Sequence, residues 1–251
     1  MITMRRVERF GVRGYEVDAF DTVALPALAA CLQDIAGAHA DELGCGLAAL
    51  RARGITWVLM RQRIEVPSPI VRGDELEIAT WPSGVDRLLV SREFAVTRAG
   101  VEVARASTAW LLVDLVTRRP VRPAEVLDPA LRPRGGSLAP VPPSLPGPSP
   151  SAVERAFRVR FQDIDANQHV NNTSYLAWAL ESVSAERWTS RRPAAAEVHY
   201  LAEARLGEKV IARVSGEADE LDHAIVREGD GKELARLRTR WSPRGPAHHR
   251  P

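Results

Sequence analysis

Two stretches of the sequence match each other without a gap: Val12-Arg-Gly-Tyr-Glu-Val-Asp18-Ala-Phe20-Asp-Thr22-Val23 and Val159-Arg-Phe-Gln-Asp-Ile-Asp165-Ala-Asn167-Gln-His169-Val170. Both copies carry an aspartate at the same place and end in valine. A pattern that recurs at such a distance is typical of a duplicated module, and a duplication decides the architecture of the whole chain. The match therefore predicts two modules of the same fold, one in each half.

An amphipathic helix is predicted directly after each copy. Apolar residues recur there at spacings of three and four, which places them on one helix face. They are Leu25, Leu28, Leu32 and Ile35 in the first half, and Leu176, Ala179, Leu180 and Val183 in the second. Pro26 suits the first turn of the first helix, and Asn172 or Thr173 suits the N-cap of the second.

Alternating, β-rich segments follow each helix. They span residues 57–66, 74–81, 88–97 and 103–114 in the first half, and 197–201, 209–215, 224–228 and 234–241 in the second. The turns at Gly73 and Gly207 correspond, and each half ends in a Thr-x-Trp motif. Each module is thus predicted to be an α+β unit, in which one helix packs on about four antiparallel strands.

A proline-rich stretch separates the two halves, with prolines at positions 140, 142, 143, 146, 148 and 150. Such a segment is extended and long enough for the second module to return beside the first. We therefore divide the chain into an N-terminal module at residues 1–132, a linker at 133–151 and a C-terminal module at 152–251.

The composition is that of an ordinary globular protein, with 251 residues of which 45% are apolar and 26% charged. A net charge of +2 gives no indication of nucleic-acid binding. Two cysteines, Cys31 and Cys45, are too few for a disulfide framework and match no zinc motif. The longest uncharged run holds too many prolines for a membrane helix. We expect a cytoplasmic protein without membrane insertion, metal or cofactor.

The second copy of the repeat concentrates polar residues that the first lacks. Phe20 and Thr22 are replaced by Asn167 and His169, and two further asparagines follow at positions 171 and 172. A carboxylate beside an imidazole allows general acid–base chemistry, carboxamides can orient water, and helix-start amides can stabilise an oxyanion. Such residues also serve as caps and turn formers. Their restriction to one copy favours a functional site.

The string Asp165-Ala-Asn167-Gln-His169-Val170-Asn171-Asn172, followed by Tyr175, Leu176 and Trp178, closely resembles the active-site motif of acyl-acyl-carrier-protein thioesterases. These are double-hotdog hydrolases of plastid and bacterial fatty-acid synthesis. The resemblance continues in residues 54–61, 80–82, 92–94, 107–122 and 239–241, and so covers nearly everything from about residue 10 to 242 except the linker. It implies a tandem hotdog fold, with two antiparallel sheets each wrapped on a central helix.

The resemblance also implies a set of catalytic residues: Asp165, Asn167, His169 and Glu203. The family often has a cysteine after the glutamate, but Ala204 stands here, which favours attack by water over attack by a thiolate. We hypothesise that Glu203 and Asn167 activate the water, and that His169 assists proton transfer to the leaving thiol. Asp165 would orient its neighbours, and backbone amides near Val170 and Asn171 would stabilise the oxyanion. Whether Asp165 or Glu203 is the base stays open.

By the same resemblance, the first module should hold the fatty chain. The residues expected to line its pocket are apolar: Leu28, Leu32, Ile35, Trp57, Val58, Leu59 and Ile78. Cores and acyl tunnels use the same residue types, so each of these is also a candidate for ordinary core packing.

The implied partner is an acyl carrier protein, which is acidic and needs a basic face for steering. Two groups of arginines could supply it: residues 118, 119, 122, 132 and 134, and residues 187, 191 and 192. Because two modules in one chain already form a pair, the protein could act as a monomer, and a homodimer is also open.

Three alternatives remain beside a carrier-protein thioesterase. A double-hotdog dehydratase is disfavoured because its histidine follows the asparagine by three residues, whereas His169 follows Asn167 by two. An acyl-coenzyme A thioesterase would share the chemistry and differ in surface contacts. A non-catalytic acyl-binding protein would keep the apolar pocket, but it would not need the polar set.

Overall fold

The computed structural model describes residues 4–131 and 141–244. The chain forms two compact units, composed of Met1–Val17, Asp21–Val23 and Ala27–Val141, and of Asp18–Phe20, Ala24–Pro26 and Pro142–Pro251. Residues 133–140 of the predicted linker lie outside the described residues, and residues 141–151 contain no helix or strand. No helix of the described residues is long and apolar enough to cross a membrane.

The first unit is an antiparallel sheet with strands in the order β1-β3-β4-β5-β2, and a short β6 pairs with β5. Its strands are β1 (Arg6–Gly11), β2 (Ile55–Glu65), β3 (Glu75–Asp86), β4 (Leu89–Arg98), β5 (Val101–Asp114) and β6 (Pro120–Val121). Its helices are α1 (Leu25–Glu42), α2 (Leu47–Arg51) and α3 (Pro123–Val126). The four strands predicted here are confirmed, and most extend a few residues beyond the prediction.

The long helix α1 forms where the apolar spacing predicted it. Leu25, Leu28, Leu32 and Ile35 are all buried. Pro26 lies in the first turn, where a missing amide proton costs nothing. The helix ends at Glu42, and Gly44 follows with a left-handed φ of 70°. The next amide, of Cys45, donates to the Ala40 carbonyl at 2.9 Å. This is a glycine-terminated helix end, in which a residue without Cβ reverses the chain.

The second unit repeats the plan, with its strands in the order β8-β11-β10-β9-β7. The strands are β7 (Val153–Arg158), β8 (Arg191–Tyr200), β9 (Lys209–Ser215), β10 (Glu220–Arg227) and β11 (Glu233–Pro243), and the helices are α4 (Asn172–Glu181) and α5 (Ala185–Ser190). Helix α4 packs on β9, β10 and β11 with its apolar face buried. The short helix α5 was not predicted, because its sequence has no apolar periodicity.

The N-cap of α4 is Asn171, so the prediction of Asn172 or Thr173 was wrong by one or two residues. The Asn171 side-chain oxygen accepts hydrogen bonds from the amide and the hydroxyl of Thr173, at 2.9 and 2.8 Å. Satisfying an otherwise orphaned amide of the first turn is what fixes the start of a helix.

The duplication is confirmed at the level of hydrogen bonds. Val17 pairs with Val23 in the first half as Ile164 pairs with Val170 in the second. In both turns the residue two positions before the closing valine is left-handed, Asp21 with φ of 61° and Gln168 with φ of 63°. The Thr-x-Trp motifs match as well, since each indole donates to the threonine hydroxyl at 2.9 Å.

Candidate active site

The polar cluster lies on the tight turn that leads into α4. The Asp165 amide donates to the His169 carbonyl at 2.9 Å, and the Asn171 amide donates to the Asp163 carbonyl at 2.8 Å. These bonds close a loop whose tip is the left-handed Gln168. Asp165, Asn167 and His169 are therefore held on a short, fixed segment at the N-terminus of a buried helix.

Asp165 accepts two hydrogen bonds from Asn167. One carboxylate oxygen accepts from the Asn167 backbone amide at 2.7 Å, and the other accepts from its side-chain amide at 3.2 Å. The backbone part of this arrangement also occurs in the first half, where the Phe20 amide donates to Asp18 at 2.9 Å. The side-chain bond has no counterpart there because phenylalanine has no amide group. Asp165 thus shapes the turn in both halves, and it orients a carboxamide in the second alone.

His169 faces the predicted glutamate. Its Nε2 atom lies 3.3 Å from Oε2 of Glu203, and both side chains are about one-third exposed, at 34% and 39%. Because Glu203 is 34 residues further along the chain, this approach is a tertiary contact. The four predicted residues therefore form two pairs, Asp165 with Asn167 and His169 with Glu203.

The backbone around Glu203 is fixed on both sides. The Tyr175 hydroxyl accepts from the Ala204 amide at 2.9 Å and donates to the Ala202 carbonyl at 3.5 Å. Arg227 donates to the carbonyl of Glu203 itself at 2.6 Å. Burial raises the pKa of Tyr175 to about 12, so the hydroxyl keeps its proton. The motif match had included Tyr175 without a role, and Arg227 was not foreseen.

The two halves also differ in a backbone hydrogen bond beside the polar cluster. In the first half, the Val23 amide donates to the Ile70 carbonyl at 2.8 Å, and Thr22 pairs with Val71. The positions that correspond to Val23 and Ile70 are Val170 and Ala204, as judged from the equivalent glycine turns. Within residues 141–244, these two make no such bond. The turn is closed onto the neighbouring segment in the first half and separated from it in the second.

This difference bears on the two backbone amides that we expected to stabilise an oxyanion. The Asn171 amide already donates to Asp163, so its use would break a bond that holds the turn. Val170 corresponds to Val23, and within the described residues its amide does not make the hydrogen bond to the neighbouring segment that the Val23 amide makes. Of the two, Val170 alone is suited to the predicted role.

The residues expected to line an acyl pocket all lie in the first unit. Leu28, Leu32, Ile35, Leu59 and Ile78 are buried, and Trp57 and Val58 are partly buried. The Trp57 indole donates to the Cys45 carbonyl at 2.9 Å and packs against the apolar cluster around Leu50 and Leu112. Their burial suits a core as well as a tunnel, so the acyl-binding role stays a prediction.

Neither cysteine is set up as a nucleophile. Burial raises the pKa of the Cys31 thiol to about 12 and also raises that of Cys45. A thiol becomes reactive when its pKa falls, because the thiolate is the attacking species. No group of three or more metal-ligating side chains occurs in the described parts of the chain.

The second arginine group is not a free basic face, contrary to the sequence-based expectation. Arg192 is buried, Arg191 pairs with Asp219, and Arg187 donates to the Ala218 carbonyl. In the first group, Arg118, Arg119 and Arg122 are exposed, whereas residues 132 and 134 lie outside the described residues. Steering by the first group stays a prediction.

Two family models match the chain. The model described as the acyl-ACP thioesterase N-terminal domain matches residues 5–129, and the model of the C-terminal domain matches residues 148–243. A chloroplastic palmitoyl-acyl carrier protein thioesterase of Gossypium hirsutum is 27% identical over 266 residues, which cover 94% of this chain and 63% of the relative. The chain therefore spans less than two thirds of that relative's length. A chloroplastic oleoyl-acyl carrier protein thioesterase 1 of Arabidopsis thaliana is 28% identical over 273 residues, covering 93% and 75%.

Solved structures agree on the fold. An acyl-ACP thioesterase from Bacteroides thetaiotaomicron superimposes with a TM-score of 0.87 at 24% identity, covering 95% of this chain and 98% of that one. A 12:0-ACP thioesterase from Umbellularia californica superimposes with a TM-score of 0.80 at 21% identity, covering 97% and 99%. The predicted tandem α+β fold is confirmed.

Proposed function

The chain belongs to the acyl-ACP thioesterase family, whose two domain models together match most of its length, and on that premise we propose that it hydrolyses fatty acyl-acyl-carrier-protein to a free fatty acid and the carrier protein. This reaction ends chain elongation in fatty-acid synthesis. The observation that carries the proposal is the 3.3 Å approach of His169 to Glu203 beside the Asp165–Asn167 pair. It supplies a carboxylate, an imidazole and an oriented carboxamide at one helix start.

Glu203 is the general base in this proposal. Both oxygens of Asp165 already accept hydrogen bonds from Asn167, whereas the Glu203 carboxylate faces the imidazole. Because the Asn167 amide nitrogen donates to Asp165, its carbonyl oxygen is the atom that can accept a hydrogen bond from the attacking water. Asp165 then acts by orienting Asn167, which supports one of the two assignments that the sequence left open.

The reaction follows from these positions. Glu203 takes a proton from water as the water oxygen bonds to the thioester carbonyl carbon, which produces a tetrahedral oxyanion. The Val170 amide, one residue before the N-cap of α4, is the donor proposed to stabilise that charge. When the intermediate collapses, the carbon–sulfur bond breaks, and the proton passes from Glu203 through His169 to the departing sulfur. Water and thioester are consumed, and the acid and the free thiol are formed.

The first unit is proposed to hold the acyl chain, through the buried residues of α1, β2 and β3 named above. Neither a metal nor an organic cofactor has a step in this scheme. The plant relatives are described as chloroplastic. For this chain we propose a cytoplasmic location, because both cysteines are free thiols, as is usual in a reducing compartment.

The experiment that tests the proposal measures thiol release from a chain-length panel of acyl carrier proteins, with matched acyl-coenzyme A thioesters alongside. We expect faster turnover on the carrier-protein series. A preference for coenzyme A would keep the hydrolytic chemistry and change the carrier. If neither series releases thiol, the proposed activity is wrong, and the result favours a non-catalytic acyl-binding protein.

A further inference from the structure

The segment that carries Glu203 is held by one contact that both halves share. Arg227 donates to the Glu203 carbonyl at 2.6 Å and pairs with Glu208 at 3.1 Å. In the first half, Arg98 donates to the Pro69 carbonyl at 3.1 Å and pairs with Asp74 at 2.5 Å. The two arginines make the same contacts at corresponding positions. Since none of the proposed catalytic residues lies in the first half, we assign this arginine contact to the fold.

A second contact exists in the polar half alone. Position 175 corresponds to Leu28 in the first half, by the same alignment that equates Val170 with Val23. Leucine can neither donate nor accept a hydrogen bond, so the first half cannot bind its segment in this way. Position 203 corresponds to Pro69, which has no carboxylate. The hydroxyl and the carboxylate therefore occur together in one half and are both missing from the other.

Tyr175 lies in the half whose described residues lack the backbone hydrogen bond between the turn and the neighbouring segment. The first half ties its turn to the neighbouring segment through Val23 and Ile70, at 2.8 Å. In the second half, the amide at position 204 donates to the Tyr175 hydroxyl at 2.9 Å, from the side of the helix. The segment is thus bonded to helix α4 through Tyr175, while the Glu203 side chain faces His169 of the polar cluster.

We propose that Tyr175 is a positioning residue that holds the Glu203 carboxylate at His169. Its hydroxyl bonds the residues on either side of Glu203, and its ring is fixed by edge contacts with Trp178 and Tyr200, at centroid distances of 5.4 and 5.9 Å. Tyr175 lies on α4, and the turn that leads directly into this helix carries His169. Helix α4 is therefore joined to both members of the pair, by the turn to His169 and by the Tyr175 hydroxyl to the residues beside Glu203. Tyr175 acts through Glu203, and it takes no proton from the substrate.

The test is a double-mutant cycle, and it rests on the proposed function because it measures thioester hydrolysis. Tyr175→Phe removes one oxygen and keeps the ring contacts. We expect kcat to fall about 10- to 100-fold with KM changed less than about twofold, as for a misplaced catalytic group. In a Glu203→Gln background, the same change should cost less than about twofold, because the group that Tyr175 positions has been disabled.

Hydrogen exchange of the Ala204 amide supplies a readout that does not depend on turnover. It should quicken at least about tenfold in Tyr175→Phe, because its acceptor is lost. Tyr175→Leu, which installs the first-half residue, is a second variant should the phenylalanine form fail to fold. Arg227→Gln is the control for the shared contact, and we expect it to lower the melting temperature without the selective coupling to Glu203.

The outcomes separate cleanly. Equal losses for Tyr175→Phe in the wild-type and Glu203→Gln backgrounds would show a general structural role and overturn the inference, as would an unchanged kcat. If Glu203→Gln itself keeps full activity, the proposed active site fails, whatever Tyr175 does. A large loss in Glu203→Gln together with full activity in Tyr175→Phe would refute the positioning role alone.

Discussion

The His169 Nε2 atom lies 3.3 Å from the Glu203 carboxylate, and the two residues are on different segments of the second unit. The equivalent segments of the first half are joined by a backbone hydrogen bond from Val23 to Ile70, which the described part of the second half lacks. In the second half the described contact between these residues is made by their side chains, so substituting either one removes it. We predict that Glu203→Gln lowers kcat by about 10²- to 10⁴-fold, the usual contribution of a general base. His169→Ala should also lower kcat, by a smaller factor, because the carboxylate can still take a proton from water.

Steady-state thiol release from one acyl carrier protein checks both variants. Glu181→Gln is the matched control, since this glutamate lies at the end of α4, away from the turn that carries His169, and its side chain is 68% exposed. It should turn over like the wild-type protein. If neither Glu203→Gln nor His169→Ala lowers turnover by even about tenfold, the assignment of the site is wrong.

The Asp165–Asn167 pair makes a different prediction, because one residue acts through the other. Asp165→Asn should lower kcat at least about tenfold by releasing the Asn167 amide. Added to Asn167→Ala, the same change should cost little more, since no carboxamide remains to be oriented. Kinetics of the two single variants and the double variant measure this coupling. Losses that multiply would mean that Asp165 has a role of its own, such as that of the base.

Much of the fold could be predicted from the sequence, because the duplication is written into it. The matched stretches predicted the paired turns, and the apolar spacing predicted α1 and α4. The strand spanning Lys209–Ser215 was predicted to the residue. The N-cap of α4 and the helix α5 were missed because both depend on capping contacts of single polar side chains, which leave no periodic signal.

The candidate site divides in the same way. Asp165, Asn167 and His169 share one short segment, so a local motif could reveal them. Glu203 was reached through a family resemblance, since a glutamate in a strand-end turn has no signal of its own. The role of Tyr175 depends on bonds to backbone atoms 27 and 29 residues away. Comparison of position 175 with Leu28 in the other half was the one sequence feature that could have drawn attention to it.

His223 predicts a pH-dependent stability that is unrelated to catalysis. It is fully buried on β10, with Nε2 2.8 Å from the Thr239 hydroxyl, and burial lowers its pKa to about 3. In the unfolded chain a histidine has a pKa of about 6.5, so between these two pKa values the unfolded state binds a proton that the folded state does not. The free energy of unfolding should therefore fall as the pH drops below about 6.5, by up to about 1.4 kcal/mol per pH unit.

Urea denaturation at several pH values between 7 and about 4.5 measures this effect. The comparison is with His223→Gln, which keeps a polar partner for Thr239 and does not titrate. The variant should have a flatter pH dependence than the wild-type protein. Parallel curves would show that His223 contributes nothing to the acid sensitivity.

The cysteines give a prediction about mechanism. Because burial raises the pKa of Cys31 to about 12, its thiol stays protonated at neutral pH and should react slowly with alkylating reagents. Cys31→Ser and Cys45→Ser should each keep kcat within about twofold of the wild-type value, with losses confined to stability. Alkylation followed by mass spectrometry and thiol-release assays checks this. Inactivation in step with modification of one cysteine would point to a thiolate nucleophile in place of water.

We predict that an acyl carrier protein contacts this chain on the exposed apolar surface beside the Asp165–His169 turn. Phe161 is 82% exposed four residues before Asp165, and Leu206 is 55% exposed three residues after Glu203. The backbones of their segments are bonded to each other through Val159 and Gly207, at 3.1 Å. Large apolar side chains exposed together are typical of contact surfaces.

Phe161→Ser should therefore lower kcat/KM at least about fivefold on an acyl carrier protein and leave an acyl-pantetheine thioester unaffected, because the small substrate needs no docking. Val116→Ser, which changes an 88% exposed side chain in the first unit, is the control. An equal loss on both substrates would place Phe161 in the catalytic chemistry and remove it from the docking surface.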